Sequence, residues 1–141
     1  MNHPTSALIS LIAVFNQHDE ILLLKRGADV HCPGVWSFPG GKVEKDEMPL
    51  QAAVRELKEE IGINGKLWRH IGKHTHTYPD HTLAFVFFFC RFDGDVSSID
   101  AENDVFWCKF EHLQGIKMPE ANLPLIKMLI ECQQEGLIPK K

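Results

Sequence analysis

Apolar residues run almost without interruption from Leu8 to Phe15 and recur through Glu20 to Lys25, with the polar quartet Asn16-Gln17-His18-Asp19 between them. Short apolar runs bounded by turn-forming residues read as strands, so this pattern predicts a hairpin. Pro33-Gly34 and Pro39-Gly40-Gly41 then mark turns flanking a short segment around Trp36 and Phe38. From Pro49 the period lengthens. Leu50, Ala53, Val54, Leu57 and Ile61 recur at helical spacing and form the apolar stripe of a predicted helix. Proline is preorganised for a first helical turn and glycine tolerates a left-handed stop, so Pro49 and Gly62 bound that helix.

Two longer strands are predicted at Leu67 to Thr77 and Thr82 to Phe92, separated by a turn at Tyr78-Pro79-Asp80-His81. Val105 to Phe110 reads as another short strand, and Leu123 to Glu135 as a second helix carrying Leu125, Ile126, Leu129 and Ile130. Strands interleaved with two helices predict a sheet covered by helices, an α/β or α+β layer arrangement. With no internal repeat, low-complexity tract or linker-like run, residues 1–141 are read as a single domain.

Composition removes several alternatives. Apolar residues make up 44% and charged residues 24%, as in ordinary globular proteins. The longest apolar runs fall well short of the roughly 20 residues of a membrane span, and no basic region precedes the first, which predicts neither membrane nor signal peptide but a cytoplasmic protein. Cys32, Cys90, Cys108 and Cys132 lie far apart without metal-type spacing, so reduced thiols are expected. A net charge of -4 disfavours duplex nucleic acid as a partner, since such binders displace counterions with a basic surface. An anionic nucleotide would need metal ions to offset its charge. No obligate protein partner is evident.

The predicted first helix carries the chemistry. Glu56, Glu59 and Glu60 stand at i, i+3 and i+4 and project from one arc. Like charges so placed repel by about a few tenths of a kcal/mol per exposed pair. A hard cation would offset that, and magnesium takes oxygen ligands from carboxylates, waters and substrate phosphates. A solvated acidic face is the competing reading of the ridge alone.

The surroundings decide between them. Gly41, five residues, Glu47, seven residues, then Arg55-Glu56-Leu57-Lys58-Glu59-Glu60-Ile61-Gly62-Ile63 occupies every fixed position of a Gly-x5-Glu-x7-Arg-Glu-U-x-Glu-Glu-x-Gly-U pattern, U being apolar. Random matching at one site has a chance on the order of 10⁻⁹ at ordinary residue frequencies. This is the Nudix box, and the chain resembles the MutT-like branch of the Nudix hydrolases over nearly its whole length. Lys25-Arg26, Asp29-Val30-His31, Phe38-Pro39-Gly40-Gly41-Lys42, Tyr78-Pro79-Asp80 and Pro119-Glu120-Ala121-Asn122-Leu123-Pro124 carry the resemblance beyond the box.

The resemblance implies an α/β/α sandwich with a mixed central sheet. It further implies metal-dependent hydrolysis of a nucleoside triphosphate to the monophosphate and pyrophosphate, with Mg²⁺ as cofactor and Mn²⁺ as a possible substitute. Glu56, Glu59 and Glu60 resemble the family's metal ligands, joined by the Gly40 carbonyl, and Glu56 also the group that activates water. Arg55 resembles the arginine that holds the glutamates, and Glu47 a carboxylate organising the loop. A further metal-binding glutamate is expected before the Trp107 strand. Glu102 is the candidate although its spacing is shifted by one residue, with Asp100 and Asp104 as alternatives.

Substrate identity lies outside the box. Asn122 occupies the position that reads the base in relatives selective for oxidised guanine nucleotides, and Phe38 the position whose backbone faces it. Arg26, His31 and Asp80 match positions near the nucleotide, and His81 stands where a relative carries arginine. The resemblance therefore implies an 8-oxo-dGTP diphosphatase, a nucleotide-pool sanitising activity linked to DNA repair. Another Nudix substrate, such as a pyrimidine triphosphate, a nucleotide sugar or ADP-ribose, and a non-catalytic nucleotide-binding module are the alternatives. Asparagine is also a good helix N-cap, a second use for Asn122.

Overall fold

β1 (Thr5–Phe15) runs through the centre of a mixed sheet in the computed structural model, which describes residues 5–25, 35–94, 99 and 104–139. Along one side β1 pairs in parallel with β6 (His81–Arg91), from Thr5 opposite His81 to Phe15 opposite Arg91. Its other side is shared between two strands. β2 (Glu20–Lys25) joins it antiparallel at Phe15 and Ile21, while β4 (Gly40–Lys42) covers Ile9 to Leu11. β5 (Lys66–Thr77) flanks β6, and β3 (Trp36–Ser37) and β7 (Val105–Lys109) both pair with β2.

The expected hairpin is present, and its turn has a local cause. The Asn16 side-chain oxygen accepts the N–H groups of His18 and Glu20, each at 2.9 Å, while Asp19 adopts a left-handed φ of 58°. The expected turn at residues 78–81 is closed by Tyr78 N–H donating to the His81 carbonyl at 2.7 Å.

Both sheet faces are covered, as the near-continuous apolar strands require. Period-two alternation sends Ile12, Val14, Val86 and Phe88 to one face, where Ala53, Leu57 and Ile61 of α1 (Pro49–Ile61) pack. Leu11, Ala13, Phe85 and Phe87 point to the other, against Leu125, Ile126 and Leu129 of α2 (Leu123–Gln134). This is the expected helix–sheet–helix arrangement. Trp68 and Trp107 pack on the α1 side and Trp36 on the α2 side. Among the described residues no helix is long and apolar enough to cross a membrane.

Two expectations need correction. Leu50 and Val54, read as members of the buried stripe, are 42% and 41% exposed, and Ala52 is buried instead. Spacing identifies an apolar arc but not how far the neighbouring sheet extends beneath it. Gly40-Gly41, read within a turn, forms β4 against β1. Gly40 has φ of 145°, and a Cβ there would overlap the Ser10 carbonyl oxygen, so only glycine brings this strand so near.

Candidate active site

α1 is anchored where it begins. Ser10, fully buried in β1, donates its hydroxyl to the Pro49 carbonyl oxygen at 2.7 Å. At the far end Gly62, left-handed at φ 70°, donates its N–H to the Lys58 carbonyl. Between them α1 lies close against β4, and a Cβ on Gly41 would stand only 2.6 Å from Glu56 Oε1. The small residue at 41 thus leaves the space that the Glu56 carboxylate occupies.

Arg55 draws the acidic groups together. Its Nε and Nη2 donate to the two oxygens of Glu47 at 2.7 and 3.0 Å, and Nη2 also to the Lys42 carbonyl at 3.1 Å. Nη1 donates to Glu56 at 3.0 Å and Glu59 at 3.1 Å, while Glu44 lies 3.7 Å away. The Arg55 hydrogen bond holds the Glu47 carboxyl down at about 2, far below its ordinary 4.5, and Glu47 in return raises the guanidinium further. Glu60 turns the other way, accepting the Gly40 N–H at 3.0 Å. The box residues Glu47, Arg55, Glu56 and Glu59 are therefore one bonded group, with Glu60 tied to β4.

A cavity of about 460 Å³ adjoins this ridge. Gly40, Gly41 and Glu60 line one end, and Phe38, Leu83, Phe85 and Asn122 the other, across Ile9 and Leu11 of β1. Phe38 is buried with its ring 4.8 Å from that of Phe87. Asn122 is only 3% exposed, and its side chain makes no capping hydrogen bond to α2. Tyr78 and His81 stand at the rim with rings stacked at 4.5 Å. Asp80 is strongly exposed and reaches the cavity only through His81, whose Nδ1 lies 2.7 Å from its carboxylate.

The NUDIX domain model matches residues 6–129. The chain belongs to the Nudix hydrolase family. This Nudix hydrolase is 33% identical to an 8-oxo-dGTP diphosphatase of Escherichia coli over 122 residues, 86% of the chain and 94% of the relative. It is 31% identical to a CTP pyrophosphohydrolase of the same organism, covering 85% and 90%. A human diphosphoinositol polyphosphate phosphohydrolase 2 is 46% identical over 125 residues, covering 87% of this chain and 67% of that protein. A solved MutT structure, from work on Aliivibrio salmonicida and Vibrio cholerae, superimposes with a TM-score of 0.72 at 34% identity, covering 90% and 98%.

Nudix hydrolases are generally dependent on a divalent metal, and the donors here suit one. Glu56, Glu59 and Glu60 supply oxygen alone, the chemistry hard cations prefer. Among the described residues no three His, Cys, Asp or Glu side chains close into a cage. An open ridge is nonetheless compatible with magnesium, which keeps several waters and shares substrate phosphates with one or two carboxylates. Arg26, His31, Asp100 and Glu102 lie outside the described residues; Asp104 is exposed before β7, its carbonyl accepting the Lys25 N–H at 2.9 Å.

Sequence reasoning did not single out Ser10, Gly41 as the gap for Glu56, or Tyr78 as a cavity wall. A hydroxyl inside an otherwise apolar strand was the available signal for Ser10. Leu83 and Phe85, alternating along a predicted strand, carried a signal for the wall but not for which face would line a cavity.

Proposed function

We propose that this chain hydrolyses 8-oxo-dGTP to 8-oxo-dGMP and pyrophosphate. The observation that carries this reading is Asn122, a buried amide in the wall of a cavity that Ile9, Leu11, Leu83 and Phe85 also line, with no side-chain capping bond to the helix it precedes. Guanine presents acceptors at O6 and N7, whereas the 8-oxo base presents the O6 acceptor beside an N7–H donor. An asparagine amide pairs with the second pattern, its NH₂ on O6 and its oxygen on N7–H. Ile9, Leu11, Leu83 and Phe85 provide flat apolar surface for a base. Such a wall suits a base better than a densely phosphorylated ring.

Glu56, Glu59 and Glu60, with the Gly40 carbonyl and Glu102, are assigned to hold Mg²⁺, or Mn²⁺ in its place. When bound, that ion supplies charge neutralisation at the phosphates and a water of lowered pKa. Glu56 accepts the proton of the attacking water. The water oxygen bonds the β-phosphorus as the bond from that phosphorus to the α–β bridging oxygen breaks, so the monophosphate departs with the bridging oxygen. Arg55 and Glu47 fix the direction of Glu56 through the bonded group described above. Asn122 and Phe38 hold the base, and Arg26, His31 and Asp80 are assigned to the nucleotide around it.

A second reading, a pyrimidine triphosphate substrate, is favoured by the likeness to the CTP pyrophosphohydrolase. Cytosine offers the N4 donor beside the N3 acceptor, which one asparagine amide also satisfies. The deciding experiment compares kcat/KM for 8-oxo-dGTP, dGTP, CTP and ADP-ribose, with magnesium and with manganese, using pyrophosphate release for the triphosphates and phosphate-monoester formation for ADP-ribose. Preference for 8-oxo-dGTP over dGTP and CTP supports the first reading; preference for CTP replaces it with the second.

A further inference from the structure

At the cavity rim, Tyr78 and His81 stack with ring centroids 4.5 Å apart and planes 14° from parallel. The turn that joins β5 to β6 fixes them both, because Tyr78 N–H bonds the His81 carbonyl. His76, on β5, meets the other side of this arrangement edge-on, 4.6 Å from the Tyr78 ring. His81 Nδ1 lies 2.7 Å from Asp80 Oδ1, and its side chain is 33% exposed. The bond from His81 holds the Asp80 carboxyl below its ordinary range, so Asp80 is an anion at neutral pH and only accepts. Nδ1 therefore carries the proton. The other ring nitrogen, Nε2, is left as the atom with chemistry to offer the cavity.

In the neutral ring Nε2 is an acceptor, and in the protonated ring a donor. Every exposed oxygen of a nucleotide phosphate, and each carbonyl of an oxidised purine, is an acceptor. A neutral His81 would thus face a ligand acceptor with a lone pair. The protonated ring offers N–H and positive charge.

We propose that His81 is a proton-linked positioning residue for the nucleotide: it binds a proton at Nε2 as the nucleotide enters, while Asp80 keeps the ring oriented and Tyr78 supports it from one face. This rests on the cavity being the nucleotide site. The described charged and titratable groups sharing the surroundings are Asp80, Tyr78 and His76 on the turn and β5, Lys25 from β2, Lys42 from β4 and Glu60 from α1. The nearest β1 partner of His81 is Thr5, which does not titrate.

Protonation on binding makes wild-type affinity fall roughly tenfold more between pH 6 and pH 8 than that of a variant without the titrating ring. The test is calorimetric titration of the whole protein with 8-oxo-dGMP in the presence of magnesium, at pH 6, 7 and 8, in buffers of different ionisation enthalpy. Proton uptake is read from the buffer dependence. The phosphate of the probe also titrates, so the quantity of interest is the difference between wild type and His81→Gln. His81→Arg, charged throughout, should bind at pH 8 at least as tightly as wild type and show the reduced uptake of His81→Gln. Asp80→Asn should weaken binding while leaving Tm within a degree or two of wild type. Equal proton uptake in wild type and His81→Gln, with binding intact, overturns the inference and leaves the nucleotide site standing. Absence of binding by any variant at every pH, for dCMP as well as for 8-oxo-dGMP, overturns both.

Discussion

Arg55 meets Glu47 through two parallel contacts, Nε to Oε2 at 2.7 Å and Nη2 to Oε1 at 3.0 Å, eight residues apart across the start of α1. The remaining guanidinium nitrogen is thereby aimed at Glu56 and Glu59. Arg55 thus links Glu47 to the helix carboxylates, bonded to the first on one edge and to Glu56 and Glu59 on the other.

Glu47→Gln keeps an oxygen but loses the charge of the pair. It should lower kcat by about tenfold or more, in keeping with the loss of precise placement. The same pair predicts a pH signature. The Glu47 carboxyl is held at about 2 against an ordinary 4.5, so its contribution to stability is complete above the ordinary value and disappears as pH falls through 2. Thermal melts of wild type and Glu47→Gln should differ at pH 7 and converge as pH falls from 4.5 towards 2; a constant gap across that window would refute the ionised pair.

Glu56→Gln and Glu59→Gln should each reduce turnover by roughly 10²-fold or more with folding retained, because each removes charge from the assigned cation site. Tm measured with and without Mn²⁺ supplies a second readout. The metal-induced rise in Tm should shrink in both variants, and near-normal turnover with an unchanged rise would remove them from that site.

The two glycines of β4 should separate by substitution. Gly41→Ala places a methyl group against the Glu56 carboxylate, the end of a side chain that can move, so the protein should fold while kcat drops. Gly40→Ala meets the backbone of Ser10 and imposes a φ of 145° on alanine, so it should lose soluble protein or Tm first. Comparable Tm for both variants would contradict this division.

Asn122→Ala and Asn122→Asp should both reduce kcat/KM for 8-oxo-dGTP, the aspartate sharply because a carboxylate oxygen replaces the donor facing O6. An unpaired buried polar group costs about 1–3 kcal/mol, enough to erase much of a base preference. Turnover at saturation should be largely spared in Asn122→Ala. An unchanged ratio of kcat/KM for 8-oxo-dGTP over dGTP in both variants would take base recognition away from Asn122.

Arg91, 4% exposed on β6, donates to the carbonyls of Asn16 and Pro139 and to the Asp19 carboxylate, with its guanidinium 5.4 Å from the Phe15 ring centre. Lysine cannot reproduce that planar fork, so Arg91→Lys should cost about 2–3 kcal/mol. Urea unfolding measures this, and kcat should remain near wild type since Arg91 lies away from the ridge.

The legibility of these features in the sequence followed their physics. The apolar run at Phe85 to Phe89 and the Pro49–Gly62 bracket are local, and both elements form where those signals stand. β4 is not local: Gly40 and Gly41 have no strand preference, and only the close approach of β1 makes them one. The exposure of Leu50 and Val54 likewise depends on where the sheet ends. Glu56, Glu59 and Glu60 were readable because one helix carries them, whereas the Asn122 wall joins residues from β1, β6 and the start of α2.

The ridge belongs to the side of the sheet that α1 covers, and Asn122 to the side that α2 covers, with one cavity lined by Glu60 of the first and Asn122 of the second. A substrate seated at both ends is measured as if against a ruler. Its base is stopped at a fixed point, so the number of atoms between base and ridge decides which phosphorus comes under the water. On the proposed reading, the cleavage position is a property of span, and a nucleotide one phosphate shorter keeps its α–β bond at the same distance from the base and presents it to the same water.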